Sequence, residues 1–362
     1  MKTGTKKRVA GAAMLLAAVG AGLAWQLGMA QSGPPQKDMP LDASMRREVI
    51  TQLNAQMQRH YVDEAKARQL AQALQTRLQQ GDFDRITSAQ KLAETLTEAM
   101  QQQLHDKHLE MRYFEQAIPE DTGQDETQED QARDFIRSQR LNFGFAEVRR
   151  LRGNIGYLDL HQFGRPQFVA ERIAAAMTLL ADTQALVIDL RRNGGGDPES
   201  VMLLASYLFD QPTHLNDIVW PRENNRTEAR WTTAKVPGKR YGQSRPVYLL
   251  TSEDTFSAGE DFAMALKDTG RATLVGEVTG GGAHPGDRRR LTAHFMMNVP
   301  TGLSVSPVTH TDWEGVGVKP DIEVSEKKAL DLAQVEILKR LIAAEKDAEW
   351  RRRLQQQLAE LD

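Results

Sequence analysis

Serine, histidine and acidic residues that could carry out chemistry lie in loops that follow apolar runs of the sequence. The clearest nucleophile candidate is Ser257, in the polar loop 251–260 that follows the apolar run 246–251 (PVYLLT). A serine there opens a helix, where free N–H groups and the positive end of the helix dipole lie beside its hydroxyl. Serine is also a common N-cap, and a nucleophile needs a base, so both interpretations stay open.

A glycine-rich loop follows a second apolar run, 185–190 (ALVIDL). Three successive glycines at 194–196 leave backbone N–H groups exposed between a predicted strand and a predicted helix, which suits an anion or a developing oxyanion. The spacing does not match a Walker loop or a dinucleotide fingerprint, so phosphate binding is the weaker interpretation. A tight turn without a ligand is the structural alternative.

Histidines and one glutamate are the candidates for proton transfer and its support. His105 and His108 end a helical segment at LHDKHL (104–109). Their three-residue spacing could hold a metal, but no third ligand lies nearby, and a solvated histidine at a helix end is the ordinary interpretation. Glu314, in a third loop rich in turn residues, could orient a histidine as the third member of a triad does. It could equally lie in a plain surface turn.

Composition excludes several classes of protein. The 362 residues are 40% hydrophobic and 26% charged, an ordinary globular balance. Lys and Arg number 46 against 49 Asp and Glu, a net charge of -3, which gives no electrostatic case for nucleic acid binding. The absence of cysteine excludes disulfides, a thiol nucleophile and cysteine-ligated zinc or iron–sulfur sites.

The N-terminus has the pattern of an export signal. Basic residues precede an apolar run, and small residues surround a candidate cleavage point after Ala30. We therefore expect residues 1–30 to be a signal peptide and the protein to be exported, in the periplasm. Because the apolar run 9–27 approaches the roughly 20 residues of a membrane span, an uncleaved anchor in the inner membrane is the alternative.

The rest of the chain alternates between helical and strand-like patterns. Apolar residues at three- and four-residue steps predict helices between Asp42 and Gln103, with Ser88 as an N-cap. Later runs alternate strands and helices, which indicates an α/β core, and residues 291–298 alternate like a strand with one wet face. The predicted division is a linker at 31–41, a helical domain at 42–117, an acidic connection at 118–134, an α/β core at 135–328 and C-terminal helices at 329–362.

Four segments together resemble one family of serine peptidases, which contains the C-terminal processing peptidases, the tricorn core and interphotoreceptor retinoid-binding protein. The segments are ALVIDLRRNGGGDPESV (185–201), TSEDTFSAGEDFA (251–263), GEVTGGGAHPG (276–286) and EGVGVKPDIEV (314–324). The match covers roughly 153–324, and the helical segment with its DKHL ending resembles the N-terminal part of the retinoid-binding-protein branch. The resemblance implies an α/β fold with a crotonase-like, ClpP-like ββα core.

The resemblance also implies roles for particular residues. Ser257 falls on the family's nucleophile, and Glu260 on the acidic position of the nucleophile helix. His108, in an Asp-x-His segment, matches the base of the tricorn-like branch, and Glu314 matches its acid. The family's oxyanion hole falls on the N–H group of Ala258 and on one from Gly194 and Gly195 in the glycine loop.

Two departures separate this sequence from the processing-peptidase branch. That branch uses a Ser–Lys dyad, and the lysine would lie soon after Thr279, where the sequence reads GGGAH (280–284). A histidine base therefore fits better, with His284 as the reserve. The 44 residues between His108 and Gly153 are too few for the family's PDZ domain with its connections, so recognition of a substrate C-terminus through a PDZ domain is not expected.

The sequence therefore predicts an exported serine peptidase that acts on peptides or proteins without a cofactor or metal. In this hypothesis Ser257 attacks, His108 takes the proton, Glu314 orients the base and the glycine loop holds the oxyanion. The alternative is a catalytically silent member of the fold that binds apolar small molecules or a protein partner in the envelope. The sequence leaves the oligomeric state open.

Overall fold

The architecture is described from a computed structural model that covers residues 36–120 and 128–361. The helices are α1 (Ala43–His60), α2 (Glu64–Gln79), α3 (Ala89–Leu104), α4 (Gln128–Arg140), α5 (Pro166–Leu180), α6 (Pro198–Ser206), α7 (Ala258–Asp268), α8 (Glu326–Ala344) and α9 (Ala348–Ala359). The strands are β1 (Glu110–Tyr113), β2 (Phe145–Leu151), β3 (Ile155–Leu160), β4 (Ala185–Asp189), β5 (His214–Trp220), β6 (Arg226–Trp231), β7 (Val247–Thr251), β8 (Thr273–Gly276), β9 (Gly286–Arg290), β10 (Phe295–Pro300), β11 (Leu303–Val305) and β12 (Ile322–Glu323). Strands that alternate with helices confirm the predicted α/β class.

The central sheet has six strands in the order β12-β8-β7-β4-β3-β2. Its strands are parallel except β2, which runs antiparallel to β3. Every residue of β4 and β7 is buried, because helices cover both faces of a parallel sheet. The carboxyl ends of β4 and β7 therefore meet at one edge, where the glycine loop and the Ser257 loop both begin.

Two apolar layers sandwich this sheet. On one face α5, α6 and α7 pack against Leu158, Ile188 and Leu249. On the other face α8 and α9 cover Tyr157, Val187 and Leu250. The predicted C-terminal helices thus complete the core rather than extend from it.

The N-terminal helices do not close a core by themselves. Their N-caps Asp42, Asp63 and Ser88 accept hydrogen bonds from the third residue of each helix, as predicted for Ser88. Their buried apolar side chains pack in one cluster with Phe295 and Met297 of β10. Strand β1 also pairs with β10, in the sheet β1-β10-β9. The helical segment and the α/β core therefore share a hydrophobic interface.

Three segments differ from the sequence-based expectations. Helix α4 begins at Gln128, inside the segment predicted as a connection, and the Phe135 ring lies 5.4 Å from that of Phe143 and 5.3 Å from that of Phe168. The alternating run 291–298 becomes a strand only from Phe295. A third sheet, β11-β5-β6, was not predicted, because β6 exposes five of its six residues and carries no apolar alternation.

The predicted signal or anchor at 1–30 lies outside the described residues. Within 36–120 and 128–361, no helix has the length and apolar character that crossing a membrane requires.

Candidate active site

The Ser257 turn is tied to the glycine loop by backbone and hydroxyl contacts. The Ser252 hydroxyl donates to the Arg191 carbonyl at 2.5 Å, and the Thr255 hydroxyl to the Leu190 carbonyl at 2.8 Å. The N–H of Phe256 donates to the Asn193 carbonyl at 2.9 Å. These bonds join the ends of β7 and β4, so the two loops that the sequence singled out form one unit.

Ser257 itself has an uncommon backbone conformation. Its φ is 52° and its ψ is -119° at the N-cap of α7, in a region that glycine adopts readily and other residues rarely do. Such a conformation costs about 1 to 3 kcal/mol and persists only where the surroundings enforce it. A strained serine between a buried strand and a helix is a feature of nucleophile turns.

The side chain of Glu260 holds the Ser257 turn in place through hydrogen bonds. Its buried carboxylate accepts hydrogen bonds from the N–H groups of Ser257 (2.9 Å), Gly281 (2.7 Å) and Gly282 (2.7 Å) and from the Thr279 hydroxyl (2.5 Å). Burial raises the pKa of Glu260 to about 7, although these donors act in the opposite direction. The predicted supporting residue thus links the nucleophile turn to the loop that carries His284.

The glycine loop offers fewer free N–H groups than its sequence suggests. The N–H of Gly194 donates to the His161 carbonyl at 3.2 Å, and that of Gly195 to Asn193 Oδ1 at 2.9 Å. Gly196 instead lines a cavity together with Ser257 and Ala258. Its φ of 141° is a left-handed value that glycine tolerates. The residue of this loop that faces the nucleophile is therefore Gly196.

Asp106 is the centre of the opposite side of the site. Its side chain is almost fully buried and accepts hydrogen bonds from the Tyr61 hydroxyl (3.0 Å), from His284 Nδ1 (2.9 Å) and from the N–H of His108 (3.0 Å). Burial opposes its ionisation, but the hydrogen bond from His284 and the charges of both histidines hold its pKa below the ordinary value. Asp106 is therefore a buried carboxylate shared by two histidines.

His108 lies between Asp106 and the nucleophile turn. Its Nδ1 is 3.8 Å from Asp106 Oδ1, and its ring centre is 4.7 Å from that of Phe256, the neighbour of Ser257. A Cβ placed on Gly282 would come within 2.7 Å of His108 Cε1. Burial lowers the pKa of His108 to about 4, so the imidazole is neutral at neutral pH.

His284 and Glu314 form the outer part of this group. His284 Nδ1 lies 3.6 Å from Glu314 Oε2, which also accepts the N–H of Ala283 at 2.6 Å. Burial works against the imidazolium, but the hydrogen bond to Asp106 and the charges of Asp106 and Glu314 raise the pKa of His284. Burial, reinforced by the Asp106 charge, raises the pKa of Glu314 to about 7.

Strand pairing explains how His108 reaches the core. Residues of β1 pair with β10 from Glu110↔Asn298 to Tyr113↔Phe295, and Asn298 Nδ2 donates to the His108 carbonyl at 2.8 Å. Lys107 Nζ donates to the Gly280 carbonyl at 2.7 Å. These contacts place the segment that follows α3 against the nucleophile side of the core.

The structure thus brings together Ser257, Ala258, Glu260, His108, His284 and Glu314, whereas His105 caps α3 in a left-handed conformation. Among the described residues, Asp106, His284 and Glu314 each place one ligand atom within 4.8 Å of the others, a spacing that could hold a cation. Sequence reasoning missed Asp106 as a shared acceptor, although its place in the Asp-x-His segment was a signal.

Two family models match this chain. The model of peptidase family S41 matches residues 154–324, and the N-terminal domain of Peptidase_S41 in eukaryotic IRBP matches residues 43–141. The two matches lie on the central sheet with its loops and on the N-terminal helices with β1.

Curated relatives and a solved structure agree with these matches. A carboxyl-terminal-processing protease of Synechocystis is 28% identical over 50% of this chain and 40% of its own length. The chloroplastic carboxyl-terminal-processing peptidase 2 of Arabidopsis thaliana is 30% identical over 46% of this chain and 31% of its own. This chain thus spans less than half of their length.

A lipoprotein from Streptococcus agalactiae shares the fold. Its structure has a TM-score of 0.56 and 16% identity, and the likeness covers 83% of this chain and 98% of that one. At this level of identity the similarity concerns architecture only. With both family models placed on the observed elements, the chain belongs to peptidase family S41.

Proposed function

We propose that this protein is an exported serine peptidase whose nucleophile is Ser257. The observation that carries the proposal is the strained Ser257 turn, which lies in a cavity beside Gly196 and Ala258 and next to Phe256, on whose ring His108 packs. An activated serine requires a base, an orienting acid and oxyanion donors in one place. Candidates for all three surround this turn.

In the proposed reaction Ser257 Oγ attacks the carbonyl carbon of a peptide bond while His108 accepts the hydroxyl proton. The N–H groups of Gly196 and Ala258 hold the oxyanion that forms, because those of Gly194 and Gly195 already donate to the His161 carbonyl and to Asn193 Oδ1. His108 then returns the proton to the leaving amine, and a water molecule hydrolyses the acyl-enzyme by the same route.

His108 suits the base better than His284. A neutral imidazole accepts a proton, and burial keeps the pKa of His108 low, whereas His284 has a raised pKa beside two carboxylates and is already bonded to Asp106 through Nδ1. As His108 becomes charged, Asp106 stabilises the imidazolium at short range. We expect the 3.8 Å between His108 Nδ1 and Asp106 Oδ1 to shorten when substrate binds, because catalytic hydrogen bonds are often long in substrate-free sites.

Glu314 has a different role in this proposal from the one the sequence suggested. The imidazole that it approaches is that of His284, at 3.6 Å. His284 in turn donates to Asp106 at 2.9 Å. Glu314 is therefore a positioning residue that acts through His284 and Asp106 on the base.

Export, substrate class and the absence of PDZ-mediated recognition also belong to the proposal. The leader pattern at 1–30 supports export to the periplasm. Peptide or protein substrates follow from the family, and curated relatives are named carboxyl-terminal-processing peptidases. Residues 109–152 hold β1, α4 and β2, so presentation of a substrate C-terminus by a PDZ domain at this place is not proposed.

The test is cleavage of a mixture of peptides by the full chain, with Ser257→Ala as the variant. We expect a loss of at least about 10⁴-fold in the cleavage rate. Ser325→Ala is the matched control, because Ser325 is an exposed N-cap of α8 without a side-chain cap bond. Cleavage that persists in pure, folded Ser257→Ala would contradict the proposal.

One observation favours a second function, the binding of apolar ligands without turnover. The cavity at Ser257 has apolar walls that include Ile218, Trp220 and Trp313. A folded protein that cleaves nothing but binds a fluorescent fatty acid, with the binding weakened in Trp220→Ala, would favour this alternative.

A further inference from the structure

The cavity beside Ser257 is lined in part by charged side chains that have no role in the proposed attack by the nucleophile. It has a volume of about 80 Å³, which suits one side chain, and it adjoins Gly196 and Ala258. A substrate whose carbonyl oxygen points at these two N–H groups would place the side chain of that same residue near the cavity. The lining of the cavity therefore bears on which residue can precede the cleaved bond.

A buried carboxylate lies in the lining of this cavity. Asp261 follows Ser257 by one helical turn, so that both lie on the same face of α7. Its side chain is only 7% exposed, and its Oδ1 accepts a hydrogen bond from Asn216 Nδ2 at 2.8 Å. Asn216 also donates to the Ser304 hydroxyl at 2.7 Å, across the sheet β11-β5-β6. The carboxylate is therefore held in place by strands that the sequence did not reveal.

A buried guanidinium lies in the same lining. Arg230 is 5% exposed and stands opposite Asn216 in the β5–β6 register. One terminal nitrogen is 3.1 Å from the exposed Glu228, whereas its Nε is buried without a hydrogen bond partner in the described structure. Buried donors are normally satisfied, and an orphaned one calls for a ligand or a functional reason. This Nε lies in a residue that lines the proposed substrate cavity.

The two opposite charges limit what the cavity can accept. A lysine or arginine side chain would be attracted by Asp261 but repelled by Arg230. An acidic side chain would be attracted by Arg230 but repelled by Asp261. A purely apolar side chain would leave the buried Nε of Arg230 without a hydrogen bond partner, which is costly. A neutral group that donates to a carboxylate and accepts from a guanidinium satisfies both.

We infer that Asp261 and Arg230 form a specificity pocket that selects a neutral hydrogen-bonding side chain, best an asparagine or glutamine carboxamide, in the residue whose carbonyl Ser257 attacks. The inference rests on the proposed peptidase function. In it the carboxamide NH₂ donates to Asp261, the carboxamide oxygen accepts from Arg230, and the apolar walls enclose the methylene groups.

The test is a cleavage-site profile of the full chain on a peptide library derived from a whole proteome, read by mass spectrometry. We expect Asn and Gln before the cleaved bond to exceed Lys, Glu and Leu by about tenfold. Asp261→Asn should shift the preference toward Asp and Glu, because only the exposed Glu228 then balances the Arg230 charge. Arg230→Met should shift it toward Lys and Arg. Exposed Asp331→Asn and Arg340→Met on α8 are the matched controls, expected to leave the profile unchanged.

A separate readout distinguishes failure of the inference from failure of the proposed function. Labelling of Ser257 by a fluorophosphonate reports the nucleophile and does not require a matching side chain. A labelled wild type that prefers apolar or charged residues, or a labelled pair of variants with unchanged profiles, would overturn the specificity pocket and leave the peptidase proposal intact. A folded wild type with neither labelling nor cleavage would overturn both. If a variant does not fold, the wild-type profile alone decides.

Discussion

The two halves of the candidate active site are built in different ways. The nucleophile half consists of short loops at the ends of the neighbouring strands β4 and β7, and its contacts are mostly backbone N–H groups and carbonyls around Ser257. The base half gathers Asp106 and His108 from the segment after α3, and His284 and Glu314 from two later loops. The first half is fixed by hydrogen bonds to backbone atoms between adjacent strand ends, and the second by side-chain contacts between separate segments.

The two halves also differ in the number of titratable groups that lie in contact with one another. In the nucleophile half one carboxylate, Glu260, is surrounded by four donors. In the base half two carboxylates and two imidazoles lie together, mostly buried, so that each titration depends on the others. The nucleophile half is therefore expected to respond to changes of shape, and the base half to changes of charge and pH.

The largest predicted effect separates the two histidines of the base half. His108→Ala should lower the rate of Ser257 acylation by about 10³-fold, the size of a lost general base. His284→Ala should cost only about tenfold, as for one lost hydrogen bond to a charged group. Stopped-flow or timed labelling with a fluorophosphonate measures both rates. A larger loss in His284→Ala than in His108→Ala would mean that His284 is the general base and His108 the positioning residue.

A change of shape at the junction of the halves should come next. A Cβ on Gly282 would lie 2.3 Å from Phe256 Cζ and 2.7 Å from His108 Cε1. Gly282→Ala should therefore lower the free energy of unfolding by about 1 to 3 kcal/mol, as overpacking does, and suppress activity.

Gly270→Ala is the matched control for Gly282→Ala. Gly270 has a positive φ, 65°, which Gly282 does not, and open space around its Cβ position. It should lose about 1 kcal/mol of stability from backbone strain alone and keep full activity. Equal activity losses in the two variants would show that the close approach at Gly282 does not shape the site.

A pH-dependent effect should mark His284 in the base half. The folded pKa of His284 is raised, so its stabilising contribution is fully present below the unfolded value of about 6.5 and is lost as pH rises through the folded pKa. The difference in unfolding free energy between wild type and His284→Gln should therefore be largest below pH 6.5 and shrink at higher pH. Denaturant titrations at several pH values measure it, and a difference that grows with pH would contradict the ion pair with Asp106.

The smallest predicted effect concerns the strained nucleophile turn. Ser257→Gly should be more stable than Ser257→Ala by about 1 kcal/mol, because glycine relieves the positive φ. Ser88, an N-cap with φ of -105°, gives the reference pair Ser88→Gly and Ser88→Ala, whose difference should be smaller than that at Ser257, because the capping preference alone separates the two Ser88 variants. Equal differences at the two positions would mean that Ser257 carries no strain.

The contrast between the halves also explains what the sequence could predict. The central strands were predictable because their residues are apolar throughout, and Ser88 because its side chain caps a periodic helix. The β5–β6 hairpin and β9 were not, since Arg226–Trp231 and Gly286–Arg290 carry mostly polar residues. Asp106 as a shared acceptor was hidden because His284 lies 178 residues away.

The glycine loop shows a finer limit of sequence reasoning. Its pattern indicated exposed N–H groups, and the resemblance assigned Gly194 and Gly195 to the oxyanion. Which N–H group faces the nucleophile depends on where His161 and Asn193 accept hydrogen bonds, and strand pairing in three dimensions decides that. The resemblance likewise could not reveal that Glu314 approaches His284.

Fluorophosphonate labelling of the folded protein, followed by mapping of the modified peptide, tests most directly whether Ser257 is an activated nucleophile. We predict a single adduct on Ser257 that is absent in Ser257→Ala, strongly slowed in His108→Ala and unchanged in Ser325→Ala. A folded wild type that takes up no label, or an adduct that persists in Ser257→Ala, would contradict the proposed active site.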